Sequence, residues 1–269
     1  MAVPRAKPET WRSAAHVRKL ADNREPATPA TISVPSEPLR RCLLGAVFIL
    51  GAADIALQTL DARLSPALPG WTQAVKLVNL DREFSFPTWY SIILLALSAA
   101  LLGLLAWAAR CAGDRRWRHW ASLALIFTAL SVDEQIMGHE SIGEPAGEAL
   151  YSGGFLFYAW VIPGALTVGV LGLLFLPLLR SLPANTRATM LLAAAFYLAG
   201  ALGLEALSGV VAGGDGVDNL LYATLTSFEE ICELLGVSIF LLALVGEVRQ
   251  RLPMVTIAFN SGREPHDPF

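Results

Sequence analysis

Long apolar runs, separated by short polar segments, occupy most of the chain. The runs are continuous and rich in Leu and Ala, without the alternation of apolar and polar residues that is typical of a barrel strand. A helix needs about 20 mainly apolar residues to cross the hydrocarbon layer of a bilayer. The pattern therefore predicts an all-α, polytopic bundle of six transmembrane helices. The predicted spans are residues 42–60, 87–108, 120–138, 155–179, 188–211 and 220–245.

Composition agrees with a membrane domain and leaves little room for another one. Hydrophobic residues make up 54% of the chain and charged residues only 16%, which is too apolar for an ordinary soluble domain of 269 residues. We expect one membrane domain over residues 42–247. Residues 1–41 contain many prolines and scattered charges, which predicts a disordered basic arm. Residues 248–269 form a short tail.

The basic residues are unevenly distributed, and this distribution predicts the orientation of the spans. Of the 20 Lys and Arg residues, 17 lie in the two terminal segments or in the connections 110–118 and 180–187. Connections that are rich in Lys and Arg stay on the cytoplasmic side. Both termini are therefore expected in the cytoplasm, which agrees with an even number of spans.

Local signals add detail to this outline. Residues 71–80 place apolar side chains on one helical face, which predicts a short helix in the membrane interface. Pro87 suits the first turn of the second span, whereas Pro163 predicts a kink within the fourth span. Gly200 and Gly203 indicate close contact between helices.

Acidic residues lie inside the predicted spans, although an ionised carboxylate in hydrocarbon costs at least about 2.5–3.5 kcal/mol. They fall in the outer half of the bundle at similar depth, because the odd-numbered spans run outward and the sixth span runs inward. These acids and the histidine near them are Asp133, Glu134, His139, Glu140, Glu205, Glu229, Glu230 and Glu233. Asp54, Ser208 and Thr226 are candidate supporting residues.

Like charges at one depth need compensation, and three kinds are available. The carboxyls can hold protons, pair with a cation such as Lys76 or Arg82, or coordinate a metal ion. The third, fifth and sixth spans contain no Lys or Arg at that depth, which favours protons or a metal. One histidine with several carboxylates suits Mn²⁺, Fe²⁺, Ca²⁺ or Mg²⁺ and, less well, Zn²⁺. No nucleotide-binding motif is found, so no nucleotide cofactor is expected.

Simpler interpretations stay open for several of these residues. His139 and Glu140 lie near the membrane edge, where a solvated helix end is common. Asp54 and Gln58 are one turn apart and can instead form a hydrogen bond between helices. A serine hydrolase is disfavoured, because the nucleophile-elbow motif GxSxG is missing and one histidine fixes no catalytic geometry.

Short motifs surround the acidic residues. They are REFSFPTWYS at 82–91, LSVDE at 130–134 followed by His139 and Glu140, LE at 204–205, EE at 229–230 and ELLG at 233–236. In these motifs the chain resembles uncharacterised multi-pass membrane proteins of bacteria. The resemblance covers most of the membrane portion and excludes the N-terminal arm. It implies a polytopic fold in the bacterial cytoplasmic (inner) membrane, adds Glu83 to the supporting residues, and implies no activity.

These observations lead to one leading hypothesis and two alternatives. The leading hypothesis is an outward-facing carboxylate and histidine site that binds a divalent metal, either for catalysis on a membrane-embedded substrate or for stability. The first alternative is a transporter that couples to protons or cations through the same acids. The second is a non-catalytic subunit of a membrane complex. The expected partners are the lipid bilayer and other membrane subunits, and no nucleic acid.

Overall fold

The computed structural model describes residues 36–64, 68–136, 157–158 and 160–252. Within these ranges the chain forms seven helices and no strand, as the apolar runs predict. The helices are α1 (Ser36–Leu64), α2 (Trp71–Val78), α3 (Phe86–Cys111), α4 (Trp117–Ile136), α5 (Val161–Ser181), α6 (Ala184–Asp215) and α7 (Leu220–Arg251). Residues 1–35 of the predicted arm and residues 253–269 of the predicted tail lie outside the described residues.

Five helices are long and apolar enough to cross a membrane. They are α1, α3, α5, α6 and α7; α5 overlaps one predicted span, and each of the others contains one. Helix α4 corresponds to the third predicted span but is less apolar, because Asp133, Glu134 and Gln135 occupy its last turn. The predicted end of that span at residue 138 lies outside the described residues.

The start of the fourth span was predicted too early. Phe157 and Tyr158 lie in a bend, and helix α5 begins only at Val161. Pro163 therefore stands in the first helical turn, where its missing N–H breaks no helical hydrogen bond. The kink predicted at Pro163 is wrong for this reason.

Apolar side chains cover the outside of the helices. Phe48 on α1 is 76% exposed and Leu173 on α5 is 74% exposed. Helix α5 buries only Leu178. Exposed apolar surface on this scale is not tolerated in water, whereas it is the expected surface of a helix in contact with lipid.

Helix α7 is the centre of the bundle, and α1, α3 and α6 all pack on it. Close approach depends on glycines. A Cβ atom on Gly236 of α7 would lie 2.7 Å from the backbone nitrogen of Tyr197, and one on Gly200 of α6 would lie 2.6 Å from the carbonyl oxygen of Glu229. The close packing predicted for Gly200 is confirmed. The same prediction for Gly203 is wrong, because nothing lies within 4 Å of a Cβ atom built there.

The two ends of the bundle differ in charge. The end of α3, the start of α4, the end of α5, the start of α6 and the end of α7 enclose one apolar cluster around Trp120. The Lys and Arg residues of these helices lie at this end, which we call the basic end. Asp114 and Arg116 order the α3–α4 turn there, because Asp114 accepts hydrogen bonds from the backbone N–H (3.0 Å) and Nε (2.9 Å) of Arg116. These bonds hold the pKa of Asp114 below its usual value.

At the opposite end, which we call the acidic end, helix α2 connects α1 to α3. The indole N–H of Trp71 donates to the carboxylate of Asp61 at 2.7 Å and ties α2 to the end of α1. Ser85 caps α3 by accepting from the backbone N–H of Thr88, and Pro87 follows in the first turn as predicted. The short helix predicted over residues 71–80 is confirmed as Trp71–Val78.

Candidate functional site

The candidate site lies at the acidic end, where α6 and α7 cross. Glu229 of α7 is buried, and Glu205 on α6 is its strongest like-charge neighbour. The indole N–H of Trp160 donates a hydrogen bond to Oε1 of Glu205 at 3.1 Å. The two acids predicted from separate spans therefore form one pair.

An irregular segment of α6 places Glu205 in this pair. Residues Ala199–Leu204 form a π-helical segment, and Glu205 follows directly. A π-helical turn contains more residues than an α-helical turn, so it rotates the side chains that follow about the helix axis. Gly200 lies in the same segment and allows α6 to touch the backbone of α7 at Glu229. Such segments are frequent at functional sites.

Glu230, the next residue of α7, and Glu233, one turn further along, extend the cluster toward α4. Glu134, in the last turn of α4, is among the strongest like-charge neighbours of both residues. The carboxyl of Glu233 is a neighbour of the Tyr197 hydroxyl on α6, and Asp133 is another charged neighbour of this hydroxyl. The acids at the end of α4 thus lie at the same end of the bundle as those of α7 and are among their charged neighbours.

Two aromatic hydroxyls lie near the acid pair at the acidic end. The hydroxyls of Tyr158 and Tyr222 lie 2.7 Å apart, within hydrogen-bond distance. Glu229 and Asp81, the latter in the loop after α2, are charged neighbours of both hydroxyls. Asp81, Tyr158 and Tyr222 were not among the predicted site residues.

Asp54 belongs to a different network. It is 1% exposed and accepts hydrogen bonds from Gln58 Nε2 (2.6 Å), Ser227 Oγ (2.6 Å) and the backbone N–H of Leu80 (3.3 Å). Gln58 also donates to Ser227 at 3.2 Å. The alternative prediction for Asp54 and Gln58 was a hydrogen bond between helices. It is present, because both residues of α1 are hydrogen-bonded to Ser227 of α7. Asp54 does not join the acidic cluster.

The other supporting residues make local contacts. Ser208 donates to the carbonyl of Glu205, and Thr226 donates to the carbonyls of Tyr222 and Ala223. Both hydroxyl protons are therefore engaged by the backbone of their own helix. In the described part of the chain, Oε1 of Glu83 is buried without a hydrogen-bond partner.

The metal hypothesis finds no complete ligand set in the described residues. Within these ranges, no three His, Cys, Asp or Glu side chains are grouped closely enough to hold a metal ion. The prediction also included His139 and Glu140, which lie outside the described residues. Their positions relative to Glu134 stay a prediction.

Another buried acid lies at the basic end and was missed in the sequence. Glu247 of α7 is 2% exposed, and its Oε1 accepts from Nε of Arg251 at 2.6 Å. Its Oε2 and the indole N–H of Trp120 are buried without a hydrogen-bond partner in the described part of the chain. The guanidinium of Arg251 also lies over the ring of Trp120, 5.6 Å from its centroid. The spacing of four residues between Glu247 and Arg251 was the available signal.

Fold and site together define the class: a helical membrane protein with carboxyl groups from three helices gathered at one end of the bundle. The chain belongs to the family described as Domain of unknown function (DUF8692), whose model matches residues 41–247. That match covers the described bundle from the first turns of α1 to the last turn of α7. Neither a curated protein nor a solved structure matches the chain.

Proposed function

We propose that this protein crosses the membrane six times and that its acidic cluster takes up and transfers protons in support of coupled transport. The approach of Glu205 on α6 to the buried Glu229 on α7, where Gly200 brings the two helices together, carries this proposal. Two like-charged carboxyls that lie close together away from water need a counter-charge or a proton to offset their repulsion. The pair is thus a binding site for a proton between two helices.

The surroundings of the pair support transfer rather than storage of a proton. Hydroxyls of Tyr158 and Tyr222 continue from Glu229 toward Asp81 at the outer loop. On the inner side, further carboxyls follow at Glu230 and Glu233. Groups that can both donate and accept hydrogen bonds in succession are the elements from which intramembrane proton relays are built.

Charge balance supports the same proposal. Helices α4, α6 and α7 contribute acids to the cluster, whereas their Arg residues all lie at the basic end. No guanidinium or ammonium group of these helices is therefore available to neutralise the acids. Protons entering from outside can do so, and their number then changes with the conformation of the bundle.

The packing of α4 supports six spans and cytoplasmic termini. This helix runs antiparallel to α3. Near one end Trp120 and Leu105 belong to the same apolar cluster, and near the other the hydroxyl of Ser131 donates a hydrogen bond to the carbonyl of Ile92. A helix that accompanies α3 over this length passes through the same layer of the membrane. An even number of spans then puts both termini on the basic side, which the positive-inside rule assigns to the cytoplasm.

The test is a proton-flux assay with purified protein in liposomes that contain a pH-sensitive dye, driven by a potassium diffusion potential. We expect flux with the wild type and its loss in Glu229→Gln, because an amide cannot exchange the proton. Glu37→Gln is the matched control, since Glu37 is an exposed acid in the first turn of α1. Equal flux in wild type and Glu229→Gln, or no flux in wild type, would refute the proposal.

A divalent-metal site is the second candidate. The observation that favours it is the convergence of Glu134 from α4 with Glu230 and Glu233 from α7. Carboxylate oxygens from two helices are suitable ligands for hard divalent cations, and catalysis on a membrane-embedded substrate would depend on such a metal. His139 would supply the nitrogen ligand.

Metal analysis separates this candidate from the proton proposal. Protein purified in metal-replete buffer is measured by mass spectrometry of its elements, as wild type and as Glu230→Gln/Glu233→Gln. Stoichiometric metal in the wild type that is lost in the double variant would support the second candidate. A wild type without bound metal would count against it.

A further inference from the structure

A polar cavity lies beside helix α2, apart from the acidic cluster. Its volume is about 290 Å³, and its described lining consists of Val75, Lys76, Asn79, Asp81 and Arg82. This volume is at the lower end of the range for small-molecule sites. It has room for a small polar group and not for an acyl chain.

The cavity lies in the headgroup layer of the membrane. Helix α2 joins the end of α1 to the start of α3, so it lies where two apolar helices leave the bilayer. Trp71 at its start and Trp89 in the first turn of α3 mark the same level, and the Trp89 side chain is 65% exposed. Indole rings concentrate at the headgroup level because they combine an apolar ring with one N–H donor.

The charges of the cavity suit an anion. Lys76 and Arg82 are both exposed, and within the described ranges neither forms an ion pair. Guanidinium and ammonium groups are the side chains that bind phosphate oxygens. The amide of Asn79 adds a donor. The carboxylate of Asp81 can accept several hydrogen bonds at once, so it offers an acceptor to a hydroxyl on the same ligand.

We infer that the cavity formed by Lys76, Asn79, Asp81 and Arg82 binds the headgroup of an anionic phospholipid with a hydroxyl group, such as phosphatidylglycerol. The phosphate lies against Lys76 and Arg82, and the headgroup hydroxyl donates to Asp81. The acyl chains remain in the bilayer beside α2. The inference does not depend on proton transfer: Asp81 is common to both proposals, but the phosphate is bound by Lys76 and Arg82, which the proton path does not use.

Native mass spectrometry of the detergent-purified protein tests this site. Phosphatidylglycerol, phosphatidylcholine and inorganic phosphate are added separately. We expect retained adducts with phosphatidylglycerol only. Lys76→Gln/Arg82→Gln should weaken this binding by roughly 30-fold, since each basic residue near an anionic surface contributes about a fivefold change in affinity. Both side chains are exposed, so the fold is expected to survive, and a thermal melt checks it.

Arg63→Gln is the matched control. Arg63 is an exposed cation in the last turn of α1, at the same end of the bundle but outside the lining of the cavity. It should keep phosphatidylglycerol binding at the wild-type level. Equal binding by the double variant and the wild type, or an equal loss in Arg63→Gln, would overturn the inference. Binding of inorganic phosphate without a lipid adduct would overturn the assignment to a lipid.

Discussion

Buried carboxylates have different neighbours at the two ends of this bundle. Glu247 at the basic end is ion-paired with Arg251, whereas Glu229 at the acidic end meets another carboxyl, that of Glu205. Removal of a charge is therefore expected to have opposite effects on stability at the two ends. At the basic end it leaves a buried ion without its partner, while at the acidic end it relieves repulsion between like charges.

Arg251→Gln should destabilise the protein by about 3 kcal/mol, because Glu247 would then be buried as an uncompensated charge. Glu247→Gln should cost less, since Arg251 is partly exposed and water can solvate its guanidinium. Thermal unfolding in detergent measures both effects. Arg249→Gln is the control, because Arg249 is exposed on the same helix. Similar losses for Arg251→Gln and Arg249→Gln would contradict this prediction.

Single residues of the site were predictable where cost alone identifies them. An acid inside an apolar run is expensive, and this argument selects Glu205 and Glu229 without any structure. It does not select Tyr197 or Tyr222, because a tyrosine in a membrane helix is inexpensive. It also did not select Glu247, because an acid four residues before an arginine near a helix end resembles an ordinary surface pair.

At the scale of elements, the contact of α6 with α7 depends on two glycines. Gly236 meets the backbone of Tyr197 and Ala193, and Gly200 meets the backbone of Glu229. Backbone atoms cannot move aside as the tip of a flexible side chain can. The helices would have to separate to admit even one methyl group, and the acid pair would separate with them.

Gly200→Ala and Gly236→Ala should each destabilise the bundle by about 1–3 kcal/mol, as overpacking of a tight contact does. Gly203→Ala is a close control, because it adds the same methyl group three residues further along the same π-helical segment, where nothing lies within 4 Å. Thermal unfolding compares the three variants. A loss at Gly203 as large as that at Gly200 would show that helix propensity, and not packing, is responsible.

For five of the helices, hydrophobic length predicted most of the ends to within a few residues, because length and apolarity are what the bilayer selects. It failed at the start of α5, where apolar residues Phe157 and Tyr158 lie in a bend. The π-helical segment Ala199–Leu204 was also beyond prediction. Its residues are ordinary helix formers and glycines, and only the packing against α7 gives them their conformation.

At the scale of the whole molecule, orientation is the prediction with the widest consequences. Reporter enzymes fused after Gly113 should report the cytoplasm, and those fused after Gly147 or Gly214 should report the outside. The pair Gly113 and Gly147 tests whether α4 crosses the membrane. A cytoplasmic result at Gly147 would remove α4 from the spans, and one at Gly214 would reverse the assigned depth of the acids.

The central position of α7 sets the order in which the molecule can be assembled. Helices α1, α3 and α6 pack on α7, yet α7 leaves the ribosome after all of them. Until then Asp54 lacks Ser227 and Glu205 lacks Glu229. The nascent chain must therefore remain in the membrane while its most costly residues lack their neighbours on α7. A chain arrested before Leu220 should be a target for membrane quality control, although most of its helices are already inserted.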